Sequence, residues 1–373
     1  MNNGRMAEAG PPGTVPFRLQ RVGVLMAPLP GEPTEAWGVL NPATARRDGE
    51  TYLFPRMVAE GNFSRIGRAR VVFDPSGTPV DVERLGTAVE PEEAWELHAG
   101  GGGVEDPRIT YVSRLRRWIM TYSAFGPLGP RIGLAASADL EHWDRLGPAS
   151  FGYQAGLQTD LGLYPNKDAL VFPDPVLGPD GRLAYAMLHR PMWDLSFIRA
   201  GEDEPLPAGL ADRRPGIWVS FAPADAVEAN LTELARFVKH RLVALPEHPW
   251  EALKIGGGTP PIRIDEGWLV LHHGVTGRLA RGFDVQPKVS YSAGALVLDA
   301  DDVTRVIARS PTPLLEPELA EEVTGTVGNV VFPTAIEPAQ NGDASSFDVY
   351  YGMADRRIGV ARLSRIATEN DGP

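Results

Sequence analysis

The chain has 373 residues, 43% of them hydrophobic, with 36 basic and 48 acidic side chains and a net charge of −12. That acidity argues against nucleic acid or an anionic membrane as the main partner, while leaving room for a small basic pocket inside. The absence of cysteine removes disulfides and thiolate chemistry and suits a reducing compartment, so a cytoplasmic location is expected. The first stretch, "MNNGRMAEAGPPGTV", has no apolar signal core. No apolar run reaches the roughly 18 residues of a membrane span. From there on the predicted elements are short apolar runs: "TYLFPRMV", "RARVVFD", "RWIMTYSA", "RIGLAAS", "LAYAMLH", "GIWVSFA", "GWLVLHHGV", "ALVLDA", "FDVYYGMA" and "RIGVARL". Bounded by turn formers, they read as strands. The 41 glycines and 35 prolines that separate them are spread along the chain instead of pooled in a linker. Helical periodicity is confined to 223–242 and a short stretch near Glu316–Glu322, so the chain is read as all-β with minor helical insertions.

A weak repeat runs through these strands. A polar residue with proline nearby opens "LNPAT" at Asn41, "EDPRIT" at Asp106, "NKDALVFP" at Asp168, "GGTPPI" at Thr259 and "GNVVFP" at Asn329. Most are followed by a second strand after a turn such as "RDGE" or "GPDGR". Five such units point to a five-bladed β-propeller over residues 16–366, with tails at 1–15 and 367–373. A pair of β-sandwiches is the alternative, but it leaves the five similar strand entries unexplained. In a propeller the inner strand of each blade lines one channel. Asn41, Asp106, Lys167 or Asp168, Lys254 or Thr259, and Asn329 are therefore expected to converge.

Taken singly, these residues mean little. An Asp before Pro is usually a turn residue. Neighbouring His272 and His273 point to opposite faces of a strand and make an awkward metal site, so no metal is expected. "GGGVED" and "GGGTPP" do not lead into a phosphate-loop helix, and no nucleophile elbow is present.

The conjunction carries more. "NPA" with "FPR", then "NFSRIGRA", "GGVEDPRIT", "GPRIGLAASADLEHWDRLG", "YPNKDALVFP", "YAMLHRP", "KIGGGTPPIRIDEGWLVLHHGV", "GNVVFP" and "YYGMADRRIGVA" follow one another from about residue 35 to 365. In that order they resemble glycoside hydrolase family 130, the β-mannoside phosphorylases and β-mannosidases, which are five-bladed propellers. The resemblance implies that Asp106 is the general acid, passing its proton through the mannose 3-hydroxyl. It implies substrate contacts from Asn41, Arg56, Arg65, Glu105, Asp168, Tyr291 and Asp355. It implies a phosphate site of Lys167, Arg190, Lys254 and His273, with Lys167 standing where some members have arginine. Inorganic phosphate would be the co-substrate, with no other cofactor. A small oligosaccharide would be the partner, and a homo-oligomer is in keeping with the family.

Phosphorolysis needs one acid and a set of cations, because phosphate is itself the nucleophile; a second carboxylate would repel it. The acid must be protonated at working pH, so burial or Glu105 is expected to raise its pKa. Hydrolysis on the same fold is the alternative, with a base drawn from Glu247, Glu251, Glu318, Glu321 or Glu322. A non-catalytic sugar-binding propeller is a more distant one. Trp193, Phe197, Trp250 and the 200–215 insertion are candidates for the pocket mouth.

Overall fold

The computed structural model describes residues 13–193, 206–278, 288–341, 343 and 345–366. Residues 1–12 and 367–373 of the expected tails, and Phe197, lie outside them. Gly13 already donates its amide to the Ile307 carbonyl, and Val15 is buried.

Five antiparallel four-stranded blades follow one another around an axis. Blade I is Gly38–Arg47, Glu50–Ala59, Phe63–Phe73 and Pro79–Val89. Blade II is Gly102–Val112, Arg117–Gly126, Gly129–Ser137 and Asp144–Pro148. Blade III is Asn166–Val171, Leu183–Pro191, Ile217–Pro223 and Arg236–Ala244, with Ser150–Phe151 added parallel at its edge. Blade IV is Lys254–Gly257, Gly267–Gly277, Val289–Leu298 and Val306–Arg309. Blade V is Val331–Pro338, Phe347–Met353 and Arg357–Arg365, completed by Phe17–Met26, which pairs antiparallel with Arg357–Arg365 and shuts the ring.

The core is a set of layers between neighbouring blades. Along the second strand of blade IV, Trp268 and Val270 pack against Leu188, Val219 and Phe221 of blade III. The intervening Leu269 and Leu271 pack against Ile336, Val349 and Leu363 of blade V. Both faces of the strand are therefore buried, which is why "GWLVLHHGV" reads as a continuous apolar run without alternation.

The helix expected at 223–242 is mostly absent. Ala224–Ala229 is α-helical and Leu231–Ala235 is a single 3₁₀ turn; the chain is then extended as the outer strand of blade III. Asn230, at φ −147°, leaves the helix and accepts the Thr232 amide with its side chain, the local competition that makes Asn a helix breaker. Beyond it Phe237 packs between blades II and III, and tertiary burial overrides the helical spacing. Near Glu316–Glu322 only Ala320–Val323 is helical.

A second repeat ties the blades. Loops entering blades I, II, IV and V read "PGEPTE", "PEEAWE", "PEHPWE" and "PELAEE", each ending in a buried glutamate: Glu35, Glu96, Glu251 and Glu322. Each takes one or two loop amides and an arginine from the blade's outermost strand. Glu251 accepts from the amides of Glu247 and His248 (2.9 and 3.0 Å), from Arg309 (2.7 Å), and bonds His272 at 2.9 Å. Glu96 does the same with Glu92, Glu93, Arg145 and Tyr122, and Glu322 with Glu318, Leu319, Arg21 and Tyr351. Blade III is tied differently. His240 Nε2 donates to the Gly152 carbonyl (2.8 Å), Ser220 to His240 Nδ1 (2.7 Å), His189 Nε2 to Ser220 (2.7 Å) and Asn166 to His189 Nδ1 (2.9 Å). The carbonyl can only accept, which fixes the direction of every bond in this row with both imidazoles neutral.

Candidate active site

Asn41, Asp106 and Asp168 share a conformation. Their φ values are 43°, 49° and 58°, in the left-handed region that Asn and Asp tolerate best. Each sits at a break in strand register: between Leu40 and Ala43, Glu105 and Arg108, Lys167 and Leu170. These are β-bulges in the inner strands, each carrying strain on the order of 1–3 kcal/mol. In a regular strand neighbouring side chains point to opposite faces. The bulge cancels that rule, so that Glu105 and Asp106, and likewise Lys167 and Asp168, line one cavity together.

The cavity, of about 230 Å³, lies where the inner strands meet. Two sets of glycines let it form. A Cβ on Gly103, at φ 114°, would stand 2.2 Å from the Ser64 carbonyl oxygen, so the chain entering blade II needs its glycine run. A Cβ on Gly256 would stand 2.2 Å from Asp168 Oδ2 and 2.5 Å from the His273 ring, so the bare inner strand of blade IV makes room for that pair. A larger groove of about 430 Å³ lies on the outer side of blade III. Most of its charges are paired with one another (Arg114 with Glu228, Lys239 with Asp180), and it holds none of the expected residues.

One side of the central cavity is a carboxylate cluster. Asp106 Oδ1 accepts from Asn41 Nδ2 (2.8 Å) and Arg56 Nη1 (3.2 Å). Glu105 accepts from Arg56 Nη2 (2.9 Å) and Lys167 Nζ (3.1 Å). Asp355 faces them from the three-residue hairpin turn 354–356, in which Ala354 and Asp355 both have positive φ (46° and 49°). The opposite side is basic. Arg190 Nε donates to Asp168 Oδ2 at 2.6 Å, and His273 Nε2 lies 3.5 Å from the same oxygen. Lys254 Nζ stands 5.5 Å from the Tyr291 ring centre and Lys167 Nζ 5.5 Å from that of Phe125. Arg190 Nη1, His273 Nδ1 and Asn41 Oδ1 are buried without a hydrogen-bond partner among the described residues. Buried polar atoms are nearly always satisfied, and these three belong to residues that line the cavity, where a polar ligand can supply the partner.

The electrostatics differ from the sequence expectation at one point. Burial does push the Asp106 carboxyl up, but Arg56, Lys167 and Arg108 together outweigh it and hold Asp106 below its ordinary value. Asp355 is the carboxyl that rises, to about 6, through burial with Asp106 and Glu105 adding to it against Arg56 and Lys167. Burial, with Arg190 and Lys167 beside it, lowers Lys254 to about 7. Burial keeps His273 neutral. Asp168 is held well below the carboxylate range: burial opposes this, but Arg190, His273 and Arg108 prevail.

Eleven of the twelve expected site residues line the cavity: Asn41, Arg56, Glu105, Asp106, Lys167, Asp168, Arg190, Lys254, His273, Tyr291 and Asp355. Arg65 does not; it pairs with Glu90 at 3.4 Å on the third strand of blade I. Of the other expected strand entries, Thr259 is buried and accepts the Leu271 amide, and Asn329 offers its carbonyl to Tyr291. Trp193 is buried against Tyr164 and Trp218, and Trp250 lies over Gly274 and Gly294, so neither forms the mouth. The motifs did not single out Trp37, Asn62, Phe125 and Phe332, which also line the cavity. Arg108, within "EDPR", lies beneath it and donates to the carbonyls of Asp106 (2.6 Å) and Gly258 (3.1 Å). His272 faces Glu251 while His273 faces the cavity, as strand alternation requires. Among the described residues no group of His, Cys, Asp and Glu is arranged to hold a metal, and no helix is long and apolar enough to cross a membrane.

Comparison with known proteins gives a consistent picture. Residues 24–367 match the model of glycoside hydrolase family 130, described as β-1,4-mannooligosaccharide phosphorylase. The chain is 31% identical to a 1,2-β-oligomannan phosphorylase from a Thermoanaerobacter species, over 93% of this chain and 96% of the relative. It is also 31% identical to a β-1,2-mannobiose phosphorylase from the same organism, over 74% and 69% of the two chains. Its fold matches that of the Listeria innocua β-1,2-mannobiose phosphorylase solved with β-1,2-mannobiose. The TM-score is 0.67 at 22% identity, covering 94% of this chain and 97% of the other.

Proposed function

The chain belongs to glycoside hydrolase family 130, and from that premise we propose that it cleaves β-linked mannosides with inorganic phosphate to give α-mannose 1-phosphate. The observation that carries this reading is the basic side of the cavity. Lys167, Arg190 and Lys254 converge there, and the two carboxylates among them, Glu105 and Asp168, are already ion-paired. An anion is favoured at such a place, and the cavity carboxylate left without an ion pair among the described residues, Asp355, stands on the sugar side with Asp106. The hydrolytic alternative loses its candidate bases. Glu251 and Glu322 are buried in the blade ties, and Glu247, Glu318 and Glu321 do not line the cavity.

In the proposed step the mannose ring lies on Asn41, Arg56, Asp106 and Asp355, and phosphate on Lys167, Arg190, Lys254 and the neutral His273. A phosphate oxygen forms its bond to the anomeric carbon as the bond to the leaving sugar breaks. Asp106 supplies the proton through the mannose 3-hydroxyl, and the configuration inverts in this single displacement. The dianion offsets the cations that hold Asp106 down, so bound phosphate raises the proton affinity of the acid. No cofactor beyond phosphate is needed, and the cytoplasm is the proposed compartment. β-1,2-linked mannosides are the first substrates to try, following the full-length relative. The test is incubation with β-1,2- and β-1,4-mannobiose, with and without phosphate. Phosphate-dependent release of mannose 1-phosphate is expected; phosphate-independent release of mannose overturns the reading.

A further inference from the structure

Lys167 and Arg190 are register partners on adjacent antiparallel strands of blade III. Side chains so placed share one face of the sheet about 5 Å apart, and like charges there repel. Lys254 of blade IV adds a third cation to the same cavity. Two carboxylates answer them, and they are held in different ways. Asp168 belongs to blade III and is fixed by Arg190 at 2.6 Å, with the neutral His273 ring 3.5 Å from the same oxygen. Glu105 reaches across from blade II and bridges two cations, with Oε1 on Arg56 of blade I at 2.9 Å and Oε2 on Lys167 at 3.1 Å. It is 3% exposed, so it cannot turn to solvent. The Lys167 head group sits on a flexible stem with three rotatable donors, whereas Arg56 is also anchored to Ser64 at 2.9 Å and to Asp106. Of the two bonds to Glu105, the one to Lys167 is the exchangeable one.

We propose that Glu105 is a built-in stand-in for phosphate: it occupies Lys167 and yields it when the oxyanion binds, which frees one carboxylate oxygen to accept a hydroxyl of the mannoside. Phosphate and Glu105 compete for one ammonium group. The exchange links the two halves of the cavity, because the carboxylate that yields Lys167 is held through its other oxygen by Arg56, which also holds Asp106 on the sugar side. Phosphate and mannoside therefore strengthen each other's binding. This inference rests on the reading of Lys167 as a phosphate ligand.

The test is calorimetric titration of inorganic phosphate, without mannoside, into the unaltered protein, Glu105→Gln, Lys167→Met and the double variant, with both KM values measured alongside. Glu105→Gln is expected to tighten phosphate about five- to tenfold, the low end of site-to-site coupling, while raising the KM for the mannoside. In the Lys167→Met background the same change is expected to leave phosphate affinity where it was. Unchanged or weaker phosphate binding by Glu105→Gln, or a gain that persists without Lys167, overturns the proposal. A crystal of the unaltered protein soaked in phosphate gives a reading independent of how the variants fold. Lys167 Nζ is expected to leave Glu105 for the oxyanion, and a retained pair with phosphate seated on Arg190 and Lys254 is the contrary result. Should the unaltered protein release no mannose 1-phosphate from mannobiose, the proposed function fails. Should it release the phosphate ester while Glu105→Gln binds phosphate no better, only this inference does.

Discussion

Glu251 and Glu105 are both buried glutamates, and the contrast between them separates what holds this molecule together from what it does. Glu251 is saturated: two loop amides, an arginine and a histidine fill its lone pairs. Glu105 has two cationic partners and faces a cavity. Both neighbourhoods keep buried atoms without a hydrogen-bond partner among the described residues, His272 Nδ1 and Arg309 Nε in the tie and Arg190 Nη1, His273 Nδ1 and Asn41 Oδ1 in the centre, but the latter three belong to residues that line a cavity. A buried charge closed in by its partners is a structural joint; one that faces a cavity is a place for a ligand.

The sharpest way to break this contrast is Asp106→Asn. A general acid contributes roughly 10²–10⁴-fold, so turnover of mannobiose is expected to fall by that much with little change in melting temperature. A melting shift as large as the loss of a blade tie erases the distinction. Glu251→Ala is the complementary change. It strands Arg309 and His272, both buried, and removing one partner of a buried ion pair costs about 3–5 kcal/mol. Denaturant unfolding is expected to show that loss, with the KM for mannobiose within a factor of two of normal.

Lys254→Met is a smaller perturbation, expected to raise the KM for phosphate about 10- to 100-fold, the worth of one charge-assisted hydrogen bond. Lys254 titrates at about 7 and is neutral above that pH. Phosphate binding to the unaltered protein is expected to weaken as pH rises through 7, with a steeper slope than in the variant, where phosphate and Asp355, pushed up to about 6, still titrate. Equal slopes count against the charged ammonium.

The smallest effect belongs to blade III. Burial lowers the pKa of His189 and His240 in the folded chain, so the unfolded chain binds more protons below the ordinary histidine value of about 6.5. Stability from this row is complete above that pH and is lost as pH falls toward the folded values, by up to about 1.4 kcal/mol per unit for each group. Melts from pH 7 to pH 5 are expected to show the decline, and His240→Gln to flatten it.

Much of this was legible in the chain. Asn41, Asp106 and Asp168 announced themselves because a left-handed bulge favours Asn or Asp, and that need recurs in each inner strand that uses one. Blade V keeps the left-handed Asn, Asn329 at φ 60°, but just ahead of its first strand; blade IV escaped the rule and enters on glycines, with Lys254 and His273 supplying its contacts. The false helix at 223–242 came from apolar spacing that fits a helix until Phe237 is needed between two blades. Arg65 resembles a site residue in sequence, yet its strand turns it toward Glu90. The protonation of Asp106 was unreadable because it is a balance of burial against three cations brought from different blades. The blade ties were readable after all. The spacing of Pro30 to Glu35 recurs at Pro91 to Glu96, Pro246 to Glu251 and Pro317 to Glu322, and it reclassifies two of the glutamates first considered as bases.

The strand Phe17–Met26 lies against Arg357–Arg365, Phe17 opposite Arg365, and its Arg21 grips Glu322. During synthesis the early segment has to wait, unpaired, until nearly the whole of the remaining chain has emerged. Four blades can stack in order from local hairpins, but the annulus cannot latch before that distant partner arrives, a non-local closure of the slow kind. The axial chamber thus becomes complete only with the latch, and a nascent protein cut short before Arg357 is inert however well its finished blades have formed.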